Sequence, residues 1–117
     1  VMIDPRGDGG GDPREAIFGI IAGPKMSPEQ AAEYETGATP EGVRRASTAT
    51  EDGFTAEIAI PLAAIAKHQA GNWNKLRINI GVSDFDEGDA RDGVSILYWR
   101  PQWTSPHAHP ASGIFLK

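Results

Sequence analysis

The chain contains no cysteine, which excludes disulfide bonds, thiolate zinc sites and a cysteine nucleophile. It also lacks the run of about 20 apolar residues that a membrane-spanning helix needs. Its longest apolar stretch, Ala56 to Ala66, is interrupted by Glu57 and Pro61. Basic residues are in the minority, with 11 lysines and arginines against 16 aspartates and glutamates, for a net charge of −5. This deficit argues against nucleic acid as a partner.

Sequence motifs of several common catalytic sites are missing as well. The chain has no Gly-x-Ser-x-Gly, no phosphate-binding loop and no His-Glu-x-x-His. A glycosidase needs two carboxylates at a fixed separation, one of them in apolar surroundings that raise its pKa. The acidic loop from Asp84 to Asp92 instead clusters its carboxylates among polar neighbours. We therefore do not expect an enzyme, and a glycoside-active enzyme fragment is kept only as an alternative.

What the chain does contain is the composition of one small globular domain over residues 1–117. Hydrophobic residues make up 39% and charged residues 23%, which is ordinary for a folded protein. The 14 glycines and 9 prolines are more than a helical bundle carries and are typical of short strands joined by turns.

Hydrophobic periodicity predicts mainly β-strands. Phe54 to Ile60, Leu76 to Val82 and Val94 to Trp99 follow the period of two that sends successive side chains to opposite faces of a sheet. Further predicted strands are Val1 to Ile3, Ala16 to Ala22, Val43 to Thr50 and Gly113 to Lys117. Short helices are predicted over Pro28 to Tyr34, behind a Ser27 cap, and over Pro61 to Ala66. The pattern predicts an all-β fold, an antiparallel β-sandwich with one or two short helices.

Four stretches of the chain, taken in order, form a further pattern. Ile3-Asp4-Pro5 ends a predicted strand before a Gly/Asp-rich loop, and Asp52 to Pro61 runs from a turn glycine through an aromatic and an acid to Ile-Ala-Ile-Pro. Ile78 to Asp86 leads into an acidic loop. The last stretch combines an arginine, a Leu-x-Trp and a Pro/Gly/Leu ending, at Arg91, Leu97, Trp99, Pro110, Gly113, Phe115 and Leu116. Together they resemble the later part of a family 9 carbohydrate-binding module.

The resemblance implies a β-sandwich attached to a xylanase or another glycan-degrading enzyme. The implied function is non-catalytic binding of a polysaccharide such as xylan or cellulose, or of its chain ends, in an extracellular or periplasmic protein. Partners would be the glycan and further domains of the same protein, with no membrane contact. Family members have earlier strands that would precede Val1, so we expect a domain truncated on its N-terminal side that exposes sheet edge and core surface. The alternative is a structural spacer or assembly domain without a ligand.

The tract from Tyr98 to Trp103 concentrates side chains suited to sugars. Sugar rings present apolar C–H faces that stack on exposed indoles, while polar side chains bind the hydroxyls. The resemblance implies a clamp of two tryptophans, with one half of the ligand site in the part that would precede Val1. Trp103 best matches the position of the other tryptophan, and Trp99 is a further candidate for stacking. The hydrogen-bonding candidates are Arg100, Gln102 and Asn79. The alternative is that both tryptophans belong to the core and that the three polar side chains are ordinary surface residues.

Acidic residues cluster in two loops and suggest calcium. Asp84 to Asp92 holds five acids and one base, and oxygen ligands on a loop suit Ca²⁺, although the spacing is not that of an EF-hand. The resemblance implies structural calcium, for which the candidate ligands are Asp84, Asp86 and Asp89. Asp4, Asp8 and Asp12 form the second acidic loop. The alternative is a pair of solvated acidic turns.

Overall fold

Antiparallel strands make up most of the structure. The computed structural model describes residues 1–7, 10–33, 35–69, 72–85, 94–103 and 113–117. In chain order these residues form β1 (Met2–Asp4), α1 (Pro13–Ala16), β2 (Phe18–Gly19), α2 (Pro28–Ala32), β3 (Arg44–Thr50), β4 (Gly53–Ala59), α3 (Leu62–Ala66), β5 (Lys75–Asn79), β6 (Gly81–Phe85), β7 (Val94–Tyr98) and β8 (Gly113–Leu116). All pairings among these strands are antiparallel. The all-β, sandwich-like fold is therefore confirmed, with three short helices among the described residues where one or two were expected.

A four-stranded sheet with the order β2-β1-β5-β8 forms the centre of the fold. Its register places Ile3 between Phe18 and Ile78, and Ile78 beside Gly113. Directly paired residues project from the same face of a sheet, so these four share one face. The core on this face comprises Ile3, Phe18 and Ile20, with Val1, Val43, Ile58, Ile60 and Ile78 packed against it. The β3–β4 segment thus supplies the second layer.

Two hairpins, β3–β4 and β6–β7, stand outside the central sheet. The sequence predicts a single strand over Leu76 to Val82, but the structure divides it at Ile80 into β5 and β6. The cause is local, because the Ile80 N–H bonds to the side-chain oxygen of Asn79 at 3.0 Å. The chain therefore leaves the sheet at this point and enters the β6–β7 hairpin.

Two of the three short helices in the described residues, α1 and α2, begin at side-chain caps. Ser27 and Gln30 form the reciprocal capping box that the sequence predicts, with distances of 3.2 and 2.9 Å, although α2 ends at Ala32. Asp12 caps α1 by accepting the Arg14 N–H at 2.9 Å, a start that is easily missed within a glycine-rich stretch. None of the helices described here is long and apolar enough to cross a membrane.

Asp4 and Arg6 form a buried ion pair at the end of β1. The Arg6 Nε and Nη2 groups donate to the two carboxylate oxygens at 2.9 and 2.8 Å, and the Arg6 main-chain N–H donates to Oδ1 at 3.1 Å. The Arg6 Nη1 group donates to the carbonyl of Gly11 at 2.6 Å. Because both side chains are almost entirely shielded from solvent, each charge depends on the other for compensation. The pair fixes the loop after β1 against the sheet.

A second carboxylate, Glu35, connects the segment after β2 to β3. It accepts the Ile21 N–H at 3.1 Å, the Thr39 hydroxyl and an N–H of Arg45. Burial alone raises the pKa of Glu35, but these three hydrogen bonds outweigh it and hold the pKa below its ordinary value. Glu35 is therefore a charged structural group at neutral pH.

Replacing Arg6 with alanine should lower the free energy of unfolding by about 3–5 kcal/mol, because the buried Asp4 carboxylate would lose the guanidinium that it pairs with. The exposed Arg14 is the matched control, and Arg14→Ala should change stability by less than about 0.5 kcal/mol. Urea unfolding followed by circular dichroism measures both values. Equally small effects for the two variants would contradict a structural role for the pair.

Candidate functional site

Asn79 organises the end of the sheet where the candidate site residues converge. Its side-chain nitrogen donates to the carbonyls of Arg100 at 2.9 Å and Trp103 at 2.8 Å. Its side-chain oxygen accepts the Arg100 N–H at 2.8 Å and the Ile80 N–H at 3.0 Å. All four hydrogen-bonding positions of the buried amide are used within the protein. The expectation that Asn79 binds sugar hydroxyls is therefore wrong.

Trp103 lies inside the protein, with 0% of its surface exposed. Its main-chain N–H donates to the Arg100 carbonyl at 3.1 Å, and this turn returns the chain to the sheet, where Asn79 binds the Trp103 carbonyl. An indole with no exposed face cannot stack on a sugar, so Trp103 is not an exposed jaw of a clamp. The alternative reading, in which Trp103 folds back over the core, is the correct one. The driving force is the large apolar area that an indole buries.

Trp99 is the candidate tryptophan that reaches solvent, with 50% of its surface exposed. The main-chain N–H of Trp99 donates to the Ile80 carbonyl at 2.9 Å, which extends the β6–β7 pairing by one residue. Its ring lies against Gly113, where any side chain would collide with it. The edge of the ring meets Phe115 with 6.1 Å between centroids and 70° between planes. The indole is thus held from two sides by β8.

Arg100 and Gln102 accompany Trp99 on the same turn. The Arg100 guanidinium carbon lies 4.9 Å from the centroid of the Trp99 ring, within cation–π range. Both polar side chains are exposed, and no described residue accepts a hydrogen bond from the Arg100 guanidinium. Asn79 binds both the main-chain N–H and the C=O of Arg100. The guanidinium therefore extends from a fixed point of the backbone. The turn therefore presents an aromatic surface, a charged donor and an amide together.

Phe115 belongs to this surface and was missed as a site residue. The sequence places Phe115 in the Pro/Gly/Leu ending of the chain and does not indicate a role in binding. The signal that identifies it is the alternation of the last strand, which puts Gly113 and Phe115 on one face. Only the fold shows that Trp99 lies on that face.

The calcium prediction concerns residues that the structure leaves largely undescribed. Asp86 and Asp89 lie outside the described residues, and so does the side chain of Asp84. In the other acidic loop, Asp4 is bound to Arg6 and Asp12 caps α1, so neither carboxylate is arranged for a metal. Within the described ranges, no group of three histidines or acids is placed to hold a metal ion. Calcium at Asp84 to Asp92 stays a prediction.

Because Trp103 is buried and Trp99 is half exposed, the two side chains should contribute differently to the free energy of unfolding. Trp103→Ala should lower the free energy of unfolding by about 3–5 kcal/mol, because it empties a fully buried site. Trp99→Ala removes a half-exposed ring with one aromatic neighbour and should cost about 1 kcal/mol. Denaturant titration of both variants measures the difference. A larger loss for Trp99→Ala than for Trp103→Ala would contradict this assignment.

Comparison of the chain with protein-family models, with curated proteins and with solved structures gives no match. The resemblance to family 9 carbohydrate-binding modules therefore stays a prediction. The candidate site is defined by its own geometry, as a half-exposed tryptophan beside Phe115, with an arginine over the ring and an amide on a turn fixed by Asn79.

Proposed function

We propose that this domain binds carbohydrate without catalysing a reaction, and that a sugar ring stacks on Trp99. The observation that carries the proposal is the placement of Trp99, which is half exposed yet held by Gly113 and Phe115. An exposed indole on a loop has a cost in water unless it has a partner. Here Gly113 and Phe115 fix the ring, the Arg100 guanidinium lies over it, and half of the Trp99 surface stays exposed.

The chemistry of the surface suits a pyranose ring. The indole offers an apolar face for axial C–H groups, and the Arg100 guanidinium offers paired N–H donors for neighbouring hydroxyls. The side-chain amide of Gln102, two residues after Arg100, adds one hydrogen-bond acceptor and two donors. Because β8 and Asn79 position the ring and the Arg100 backbone before any ligand arrives, little conformational entropy is lost on binding.

Among the described residues of the tract from Tyr98 to Trp103, Trp99 takes the stacking role that was expected of Trp103. With Trp103 in the core, Trp99 covers one face of a sugar. Such a surface is suited to the side of a polysaccharide chain, for example xylan or cellulose, more than to an enclosed chain end. An extracellular or periplasmic setting is part of the same proposal, since such glycans are found there.

A spacer or assembly domain is the second candidate, and a specific observation favours it. Several large apolar side chains of β6, β7 and β8 are more than two-fifths exposed, among them Val82, Ile96, Leu97, Ile114 and Leu116. Exposed apolar surface on this scale marks interaction sites in folded proteins. The two candidates differ in whether a glycan is retained at Trp99.

The stacking role predicts that Trp99→Ala weakens retention on insoluble xylan or cellulose by at least about tenfold, since the ring is the main apolar contact. Trp73→Ala is the matched control, because Trp73 is a partly buried tryptophan that lies beside Lys117. Affinity electrophoresis with soluble xylan gives the dissociation constants, and circular dichroism confirms that each variant is folded.

Retention that is equal for the parent chain, Trp99→Ala and Trp73→Ala would contradict a role for Trp99. Absence of retention by the folded parent chain on a broad panel of glycans would favour the assembly domain instead.

A further inference from the structure

β8 is an edge strand, because its outer side meets no other strand in the part of the chain that the structure describes. Folded proteins usually protect such an edge with charged residues, proline or a bulge. Gly113-Ile114-Phe115-Leu116 contains neither charge nor proline, and its three large side chains are 53%, 47% and 75% exposed. An uncharged apolar edge is a template for pairing with another strand.

The hydrogen-bonding direction of β8 shows which residues face outward. The Lys117 N–H donates to the Asn74 carbonyl at 2.9 Å, which continues the β5–β8 register by one residue. In an antiparallel pair, hydrogen-bonded positions alternate along the strand. Residues 113, 115 and 117 therefore bond to β5, and the N–H and C=O groups of Ile114 and Leu116 point to the open side.

The sequence of β8 is self-complementary about Phe115. An antiparallel copy centred there places Ile114 opposite Leu116 of the copy and Phe115 opposite its own counterpart. The outward groups of Ile114 and Leu116 then form hydrogen-bonded pairs, and Phe115 occupies the closer, non-hydrogen-bonded position that brings side chains together. The two Lys117 side chains lie at opposite ends, each opposite Gly113, whereas parallel pairing would place them side by side.

We propose that β8 pairs with β8 of a second copy of this chain about a two-fold axis at Phe115. The two four-stranded sheets become one eight-stranded sheet, and the interface is the same patch on both copies. Half-exposed Phe115 gains an aromatic neighbour, and Ile114 and Leu116 cover each other across the axis. We choose a second copy as the partner of this edge because one antiparallel register satisfies three conditions together. It pairs the outward N–H and C=O groups, brings the apolar side chains opposite each other and keeps the two Lys117 charges apart.

The dimer also has a consequence for Trp99, which contacts Gly113 and Phe115 on one face of β8. The two-fold axis brings both indoles to the same face of the joined sheet. The two Gly113 positions are four residues apart along the strands, or roughly 13 Å at the rise of an extended chain. The joined sheet then offers two indoles on one face to a single polysaccharide strand. Dimerisation itself does not depend on glycan binding.

The register is tested by cysteine cross-linking, because the chain has no cysteine of its own. Phe115→Cys places the two sulfur-bearing residues directly opposite, about 4.5 Å apart between Cα atoms, within the range for a disulfide. Ile114→Cys is the control, since its counterpart is two residues away and beyond about 7 Å. Mild oxidation of the intact chain, followed by non-reducing electrophoresis, should give a disulfide-linked dimer for Phe115→Cys and little for Ile114→Cys.

A matched pair of lysine substitutions tests the edge without oxidation. Leu116→Lys puts a charge on the edge and should raise the dissociation constant of the dimer by at least about tenfold, since the change occurs twice in a two-fold interface. Leu62→Lys changes another well-exposed leucine, on α3 (62% exposed, against 75% for Leu116), and should leave the dissociation constant unchanged. Sedimentation equilibrium over micromolar concentrations measures the constant for the parent chain and both variants.

A parent chain that stays monomeric across this range, with no preference of Phe115→Cys over Ile114→Cys, would overturn the proposal. So would equal dimerisation of the parent and the folded Leu116→Lys variant. The glycan proposal is judged separately, because a monomeric Leu116→Lys chain should still retain xylan through Trp99. Loss of dimer and loss of glycan binding are therefore distinguishable.

Discussion

The side chain of Asn79 is the constraint on which the candidate surface depends. One buried amide holds the start of β6 through Ile80 and both ends of the turn from Arg100 to Trp103. Within low-dielectric surroundings, losing such an amide would leave several main-chain groups unpaired. The turn buries Trp103 and presents Arg100 to solvent. The same residue that was expected to bind a ligand thus builds the scaffold for the residues that remain candidates.

Regular alternation made the strands predictable, and long-range contacts decided what it missed. β4 and β7 lie close to their expected bounds because their side chains alternate between apolar and polar. β3 and β8 also lie close to theirs, although neither alternates in this way. Alternation does not predict the division into β5 and β6 at Ile80. That division depends on the hydrogen bond from the Ile80 N–H to the Asn79 side chain, which competes with main-chain pairing between strands. Trp99 and Trp103 lie only four positions apart in the sequence but have opposite environments. Their difference is set by Asn79 and Gly113, which lie far away along the chain.

The proposed glycan surface and the open edge of the sheet meet at β8. Gly113 leaves room for Trp99, and Phe115 contacts it, while Ile114 and Leu116 project from the other face of the strand. Several large apolar side chains in this region are exposed. In the two proposals, this four-residue strand supports stacking on one face and pairing along its edge, which requires a sequence that is apolar at every position. That requirement accounts for an edge without protective charges.

The most direct test of this account follows the indole N–H signals of the three tryptophans by NMR while a soluble xylo-oligosaccharide is added. The account predicts that the Trp99 signal shifts in proportion to occupancy, and that the Trp103 signal stays in place and exchanges slowly with deuterium, because its ring is buried. Substitution of each tryptophan in turn assigns the signals. A shift of the Trp103 signal, with rapid exchange and an unmoved Trp99 signal, would contradict the central claim that Trp99 binds and Trp103 supports.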